Sequence, residues 1–109
     1  MRIGVVLETH SLERRVALVP EDVTRLVRAG HALLVERGAG LAAGFGDALY
    51  ERAGGQLLAA GREVIAFCEI LVKVRPPSLD EASHLSNAAW LVGLLAPWQN
   101  CELLRVLAS

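Results

Sequence analysis

Three stretches of the chain carry side chains able to do chemistry. In "EILVKVRPPS" (69–78), Lys73 stands among Ile70, Leu71, Val72 and Val74, next to last in an apolar run. An unpaired ammonium inside such a run is costly, so the amine must reach water or find a partner. Two readings follow: a lysine that snorkels its head out of the sheet end, and an amine held at a strand end to act on a ligand. In "LERRVALVPEDV" (12–23), Arg14 and Arg15 open a short apolar run that leads into a helix start. A guanidinium at that position can grip a carboxylate or phosphate through two parallel hydrogen bonds. It can also close a surface ion pair with Glu8 or Glu13. In "GAGLAAG", Gly38, Gly40 and Gly44 follow a strand and resemble a dinucleotide-binding turn. A working turn of that kind opens a helix whose amides receive a pyrophosphate, and an acid follows about 20 residues on. Phe45 and Gly46 interrupt any helix starting at Gly40, and the next strand has no carboxylate at its tip. The glycines therefore read as a flexible or tightly packed surface loop.

His10, His31 and His84 have no metal-ligand spacing and read as surface residues. No metal site is expected. No nucleophile elbow, P-loop or paired-histidine zinc motif is present. Cys68 and Cys101 lie 33 positions apart in apolar surroundings and read as buried thiols in a reducing compartment.

The elements that must position these groups are short. "RIGVVL" (2–7) reads as a buried strand and "PEDVTRLVRAGH" as a helix that begins at Pro20 and stops at Gly30. "HALLVER" (31–37) is a second strand. A short helix runs from Asp47, taken as its cap, to about Ala53. "GQLL" (55–58) is a brief third strand, "AGREVIAFC" (60–68) one or two helical turns, and "EILVKV" (69–74) a further strand. Pro76 and Pro77 end it. Ser78 caps "LDEASHL", with Glu81 at the capping-box spacing. "AAWLVGLL" (88–95) is the last strand, and "QNCELLRVLA" (99–108) a closing helix. The strands are continuous apolar runs separated by helices, the pattern of a parallel sheet covered on both faces. The expected fold is α/β: a flavodoxin-like or Rossmann-like three-layer open parallel sheet, incomplete at its C-terminus.

The 109 residues fit one domain, and 53% of them are hydrophobic, more than a small domain easily hides. Part of that surface is expected to face another domain, a subunit or a continuation of the chain. The net charge of −1 and the lack of a basic, aromatic-rich patch give no sign of nucleic-acid binding. The start has too few apolar residues for a signal peptide, and "AAWLVGLLAPW" is only 11 residues long, about half a membrane span. A soluble chain is expected.

Taken in order, "RIGVVLE…ERRVALVPEDVTRLVRAGH", "VERGAGLAAGFGDALYERAGG", "ILVKVRPP" and "LLAPWQNCELL" resemble the amino-terminal domain shared by alanine dehydrogenase and the alpha subunit of proton-translocating NAD(P) transhydrogenase. The resemblance covers essentially residues 1–109. It implies a flavodoxin-like unit facing a separate NAD-binding Rossmann domain across a cleft, which would account for the apolar excess and the missing fingerprint. By resemblance, Arg15 and Lys73 are the cleft-facing residues that bind a substrate carboxylate and act at its carbonyl. Arg15 then faces the cleft and Arg14 the solvent.

The dehydrogenase branch has a catalytic histidine about six residues before a "PEL"-type helix start. Counting back from "CEL" (101–103) puts Ala96 there, and a methyl group cannot exchange a proton. "APWQNCEL" resembles the transhydrogenase variety instead. Leu7, in place of the family's usual lysine, and Cys101, in place of proline, are departures.

The transhydrogenase resemblance implies hydride transfer from NADH to NADP⁺ coupled to proton translocation, with NAD(H) and NADP(H) as cofactors of the full enzyme and neither held strongly by this segment alone. The implied partners are the missing Rossmann domain or chain continuation, the membrane and NADP-binding subunits, and a second copy in a homodimer. The implied location is cytoplasmic, peripheral to the inner or plasma membrane. Two alternatives stand: an alanine or saccharopine-type dehydrogenase, and a non-catalytic stand-alone binding module. A chain ending at Ser109 reads as a fragment of a longer polypeptide.

Overall fold

Alternation along the central strands decides the architecture. In the computed structural model, which describes residues 1–8 and 13–74 and the backbone of 90–93, Arg2–Val5 forms β1 and Ala32–Glu36 forms β2. Ile3, Val5, Leu33 and Val35 point to one face, where they join Ile70 and Val72 in the larger core. Leu34 and Leu71 point to the other face and meet Val64, Ile65 and Cys68 in a second, smaller core. A strand buried on both sides must be apolar at every position, which is why these runs do not alternate with polar residues.

Helix α1, Pro20–Arg28, covers the first face with Val23 and Leu26. Pro20 suits its first turn, Glu21 and Asp22 complement its dipole, and Asp22 accepts the Val19 N–H at 3.3 Å. Gly30, at φ 99°, stops it in a left-handed conformation that a side chain would oppose. A single 3₁₀ turn at Leu41–Ala43 precedes α2, Asp47–Arg52, and β3, Gln56–Leu58. The cap of α2 is Gly46, not Asp47 as the sequence reading had it. The Asp47 carboxylate instead accepts the Gly38 N–H at 2.8 Å and ties the preceding loop shut.

On the opposite face lies α3, Gly61–Phe67, followed by β4, Ile70–Lys73. Gly4 lets α3 approach: a Cβ there would sit 2.8 Å from both the Cys68 Cβ and Val64. With β5, Trp90–Gly93, the sheet has the order β3-β2-β1-β4-β5, and every pair is parallel.

The three-layer α/β fold is therefore as expected, with strands trimmed by a residue or two at their ends. The strand order is that of doubly wound dinucleotide folds, and the order in which strands are added reverses between β1 and β4. Ligands of such sheets bind outside the carboxyl ends of the strands at that reversal. Lys73 ends β4 there, and Glu8 lies just beyond the end of β1. The readings for His10, Arg75 to Ala89 and Leu94 to Ser109, including the Ser78 cap and the closing helix, fall outside the described residues.

Candidate functional site

Parallel register sets Val5 beside Val72, so the chain just past β1 runs alongside the end of β4. Glu8 and Lys73 meet there: the ammonium Nζ lies 3.6 Å from Glu8 Oε1, with side chains only 2% and 3% exposed. The other carboxylate oxygen, Oε2, accepts the Val74 N–H at 3.1 Å. Lys73 therefore does not snorkel to water. It is held inside the sheet end by a carboxylate that also bonds the backbone of the following residue. Lys73 is also the only lysine in the chain, where every other strongly basic side chain is arginine. That fits a position needing a compact, three-donor ammonium over a planar fork.

Arg15 sits in the segment after β1, anchored below by buried Val16, Ala17 and Leu18. Its guanidinium grips Glu13, with Nε on Oε2 at 2.8 Å and an η nitrogen on Oε1 at 3.0 Å. The Arg15 backbone N–H also reaches Oε2, at 3.0 Å. The Glu13 side chain is 3% exposed and that of Arg15 60%, so the guanidinium lies over a buried carboxylate with much of its surface open. The hydrogen bonds and charge of Glu13 push the Arg15 pKa up further, and Glu8 adds to the same effect. The four groups thus share one field of alternating sign at the carboxyl end of the sheet. Of the ion-pair partners open to Arg15 in the sequence, the fold uses Glu13. Both Arg14 and Arg15 are exposed.

Tyr50 fixes the level of this segment. Fully buried, it donates its hydroxyl to the Leu18 carbonyl at 2.9 Å. Desolvation, helped by the charges of Asp22 and Asp47, pushes its pKa up to about 12. The same ring occupies the space beside Gly40, where a Cβ would fall 2.6 Å from it. Gly38, at φ 81°, and Gly44, at φ 94°, make the left-handed turns of the loop. The glycine stretch is a turn built to admit Tyr50. It does not fit a pyrophosphate: the Gly38 amide is engaged by Asp47, and the approach at Gly40 is filled.

The other sequence candidates lie apart. His31 is at the amino end of the sheet, its Nδ1 3.2 Å from the Met1 amine. Cys68 is a buried thiol whose pKa burial pushes up, so it is a poor nucleophile. Ala96, His10, His84 and Cys101 lie outside the described residues. Sequence reasoning weighed Glu8 only as a partner for Arg15 and missed its hold on Lys73. The available signal was a lone lysine in a buried central strand and an acid just past the strand beside it.

Two surface hollows, of about 430 and 470 Å³, lie along the outer side of α1 and between β3 and α3. Neither is lined by the four charged groups. Among the described residues no helix is long and apolar enough to cross a membrane.

Comparison with known proteins gives this domain a wider context. Residues 4–109 match the model of the alanine dehydrogenase/PNT N-terminal domain. The chain is 38% identical over 106 residues to the NAD(P) transhydrogenase subunit alpha of Cereibacter sphaeroides, covering 97% of this chain and 20% of that one. It is 37% identical over 95 residues to the alanine dehydrogenase of Mycobacterium tuberculosis, covering 87% of this chain and 26% of the enzyme. Among solved structures, a transhydrogenase from Sinorhizobium meliloti superposes with a TM-score of 0.81 at 30% identity, over 94% of this chain and 29% of that one. An L-alanine dehydrogenase superposes at 0.77 and 33% identity, over 98% of this chain and 30% of the other. The chain spans less than a third of the length of each of these relatives.

Proposed function

This chain belongs to the alanine dehydrogenase/PNT N-terminal domain family, and from that premise we propose that it is the N-terminal part of the soluble, NAD(H)-handling domain of an NAD(P) transhydrogenase alpha subunit. In the assembled enzyme, hydride passes from NADH to NADP⁺, coupled to proton translocation. The observation that carries this reading is the match of 97% of this chain to 20% of a transhydrogenase alpha subunit. The geometry supports the site within it. Lys73 and Arg15 stand at the carboxyl end of a doubly wound sheet, beside its reversal point, and form one wall of the proposed cleft.

The facing wall is a Rossmann domain supplied by the rest of a longer polypeptide, in keeping with the greater length of the relatives. NAD(H) is gripped by that domain and NADP(H) by a separate subunit. This domain contributes the two cations, excludes water from its side of the cleft and supplies a dimer surface. The location that follows is cytoplasmic, at the surface of the inner or plasma membrane.

A dehydrogenase reading is supported by the alanine dehydrogenase relatives and by the strand-end lysine and arginine, which suit a 2-oxo acid. Against it stands Ala96, which offers no proton where that branch has a histidine.

The native protein carrying this domain is the material to assay. NADH-driven reduction of an NADP⁺ analogue, indifferent to pyruvate and ammonium, is the expected result. NADH oxidation that requires pyruvate and ammonium would move the protein to the dehydrogenase branch. A stable dimer indifferent to both nucleotides would leave only a binding module.

A further inference from the structure

The cations at the sheet end would be expected to bind a ligand, yet the more informative group is the carboxylate beneath them. Glu8 divides its two oxygens between different elements: Oε1 faces the Lys73 ammonium at 3.6 Å and Oε2 accepts the Val74 N–H at 3.1 Å. The second bond pins the carboxylate against the backbone at the end of β4, so the first has a fixed origin. A buried lysine has four rotatable side-chain bonds, and burial by itself does not choose where the amine points. A pinned carboxylate does.

We propose that Glu8 is the positioning residue of this site, holding the Lys73 amine inside the sheet end and setting the direction in which it meets a ligand. This role rests on the cleft reading above only for the ligand; the hold on Lys73 stands without it. Glu8 also lies within electrostatic reach of Arg15. One carboxylate therefore influences both cations, while Glu13 holds Arg15 through direct hydrogen bonds.

Glu8→Gln is the informative variant. Its amide oxygen can still accept the Val74 N–H, while the charge that faces Nζ is gone. Lys73 is the only lysine of residues 1–109, so in the full-length native protein its ¹³Cε-lysine resonance is assigned by its loss in Lys73→Arg. Acylation by acetic anhydride is read at Lys73 by mass spectrometry of the proteolytic peptide that contains it.

In wild type, Lys73 should resist acylation and its resonance should differ from that of a solvated lysine. In Glu8→Gln, the amide spectrum of β1 and β4 should persist while the lysine resonance moves and acylation of Lys73 rises at least about tenfold, because the buried ammonium has lost its counter-charge. An unchanged resonance and unchanged protection in Glu8→Gln would overturn the proposal, since another group would then be holding the amine. Should Glu8→Gln fail to fold, Glu8→Asp keeps the charge and withdraws it by one methylene. A Lys73 resonance identical to wild type in that variant would overturn the proposal equally.

In the native protein, loss of the positioned amine should lower kcat for hydride transfer by about tenfold or more, with a smaller change in KM for NADH. The two readings separate cleanly. A moved lysine with wild-type turnover would uphold Glu8 as the positioning residue and remove Lys73 from the catalytic cleft.

Discussion

The two ends of the same central strands carry two ion pairs of nearly equal length and opposite character. At the amino end, Arg2 of β1 and Glu69, just before β4, lie 3.8 Å apart with side chains 59% and 42% exposed. At the carboxyl end, Glu8 and Lys73 lie 3.6 Å apart and almost wholly out of water. Distance does not separate these pairs; solvent does. Water screens the first and leaves it little net energy. The second has given up the hydration of two charges, and its mutual attraction only offsets that cost. A fold has no need of such a pair for stability, since apolar residues of the same volume often do as well. Its presence at the end where α/β sheets bind ligands is what the proposed site rests on.

The sharpest way to break this contrast is to remove one member of each pair. Lys73→Met leaves a carboxylate buried without its counter-ion and should cost about 3–5 kcal/mol of unfolding free energy in denaturant titrations. Adding Glu8→Gln in the same chain removes the stranded charge and keeps an acceptor for the Val74 N–H, so the double variant should recover most of that loss. If the double variant is as unstable as Lys73→Met, the pair is not a coupled unit, and the contrast between the two ends fails.

Much of this was legible in the residues. Continuous apolar strands between helical segments announce a parallel sheet, and Pro20 and Gly30 bound α1 to the residue. The motif order pointed to the family, which the comparisons then showed. Less legible was anything set by pairing across the sheet. Whether Lys73 reaches water or a partner depends on the β1–β4 register, and that register joins residues 67 positions apart. Asp47 looks like a helix cap because aspartates before helices usually are. The loop closes so that the Gly38 amide takes its carboxylate instead. The glycine stretch imitates a phosphate turn because both need close approach. Here the approaching group is the ring of Tyr50, which no local pattern names.

Tyr50 gives the next test of the carboxyl end, with a smaller effect. Tyr50→Phe leaves the Leu18 carbonyl without its buried donor and should cost about 1–3 kcal/mol. It should also loosen the segment that carries Arg15. The pH dependence has a definite sign. The phenol titrates near 10 when unfolded and at about 12 in the fold, mainly because of desolvation. Its contribution is therefore complete below about 10 and is lost as pH rises through about 12. Stability of the wild type should fall across that window by more than that of Tyr50→Phe. Parallel alkaline limbs for the two proteins would mean the ring is not sealed from water.

The smallest effect belongs to the amino end, and it sharpens the comparison because its cause is not the visible ion pair. Glu69 titrates below its ordinary value chiefly because its carboxylate accepts the Arg2 backbone N–H, at 2.9 Å; the guanidinium charge contributes less. A depressed carboxyl contributes stability above its unfolded pKa and loses it as pH falls through the lower folded value. Arg2→Ala removes the side-chain charge but leaves that N–H in place. The side-chain carboxyl resonance of Glu69 should therefore keep most of its downward displacement in Arg2→Ala, and keep it in high salt, which screens charges but not a hydrogen bond at this distance. A return of Glu69 to the ordinary carboxylate range in that variant would make the exposed ion pair the real cause. The two ends would then differ only in burial.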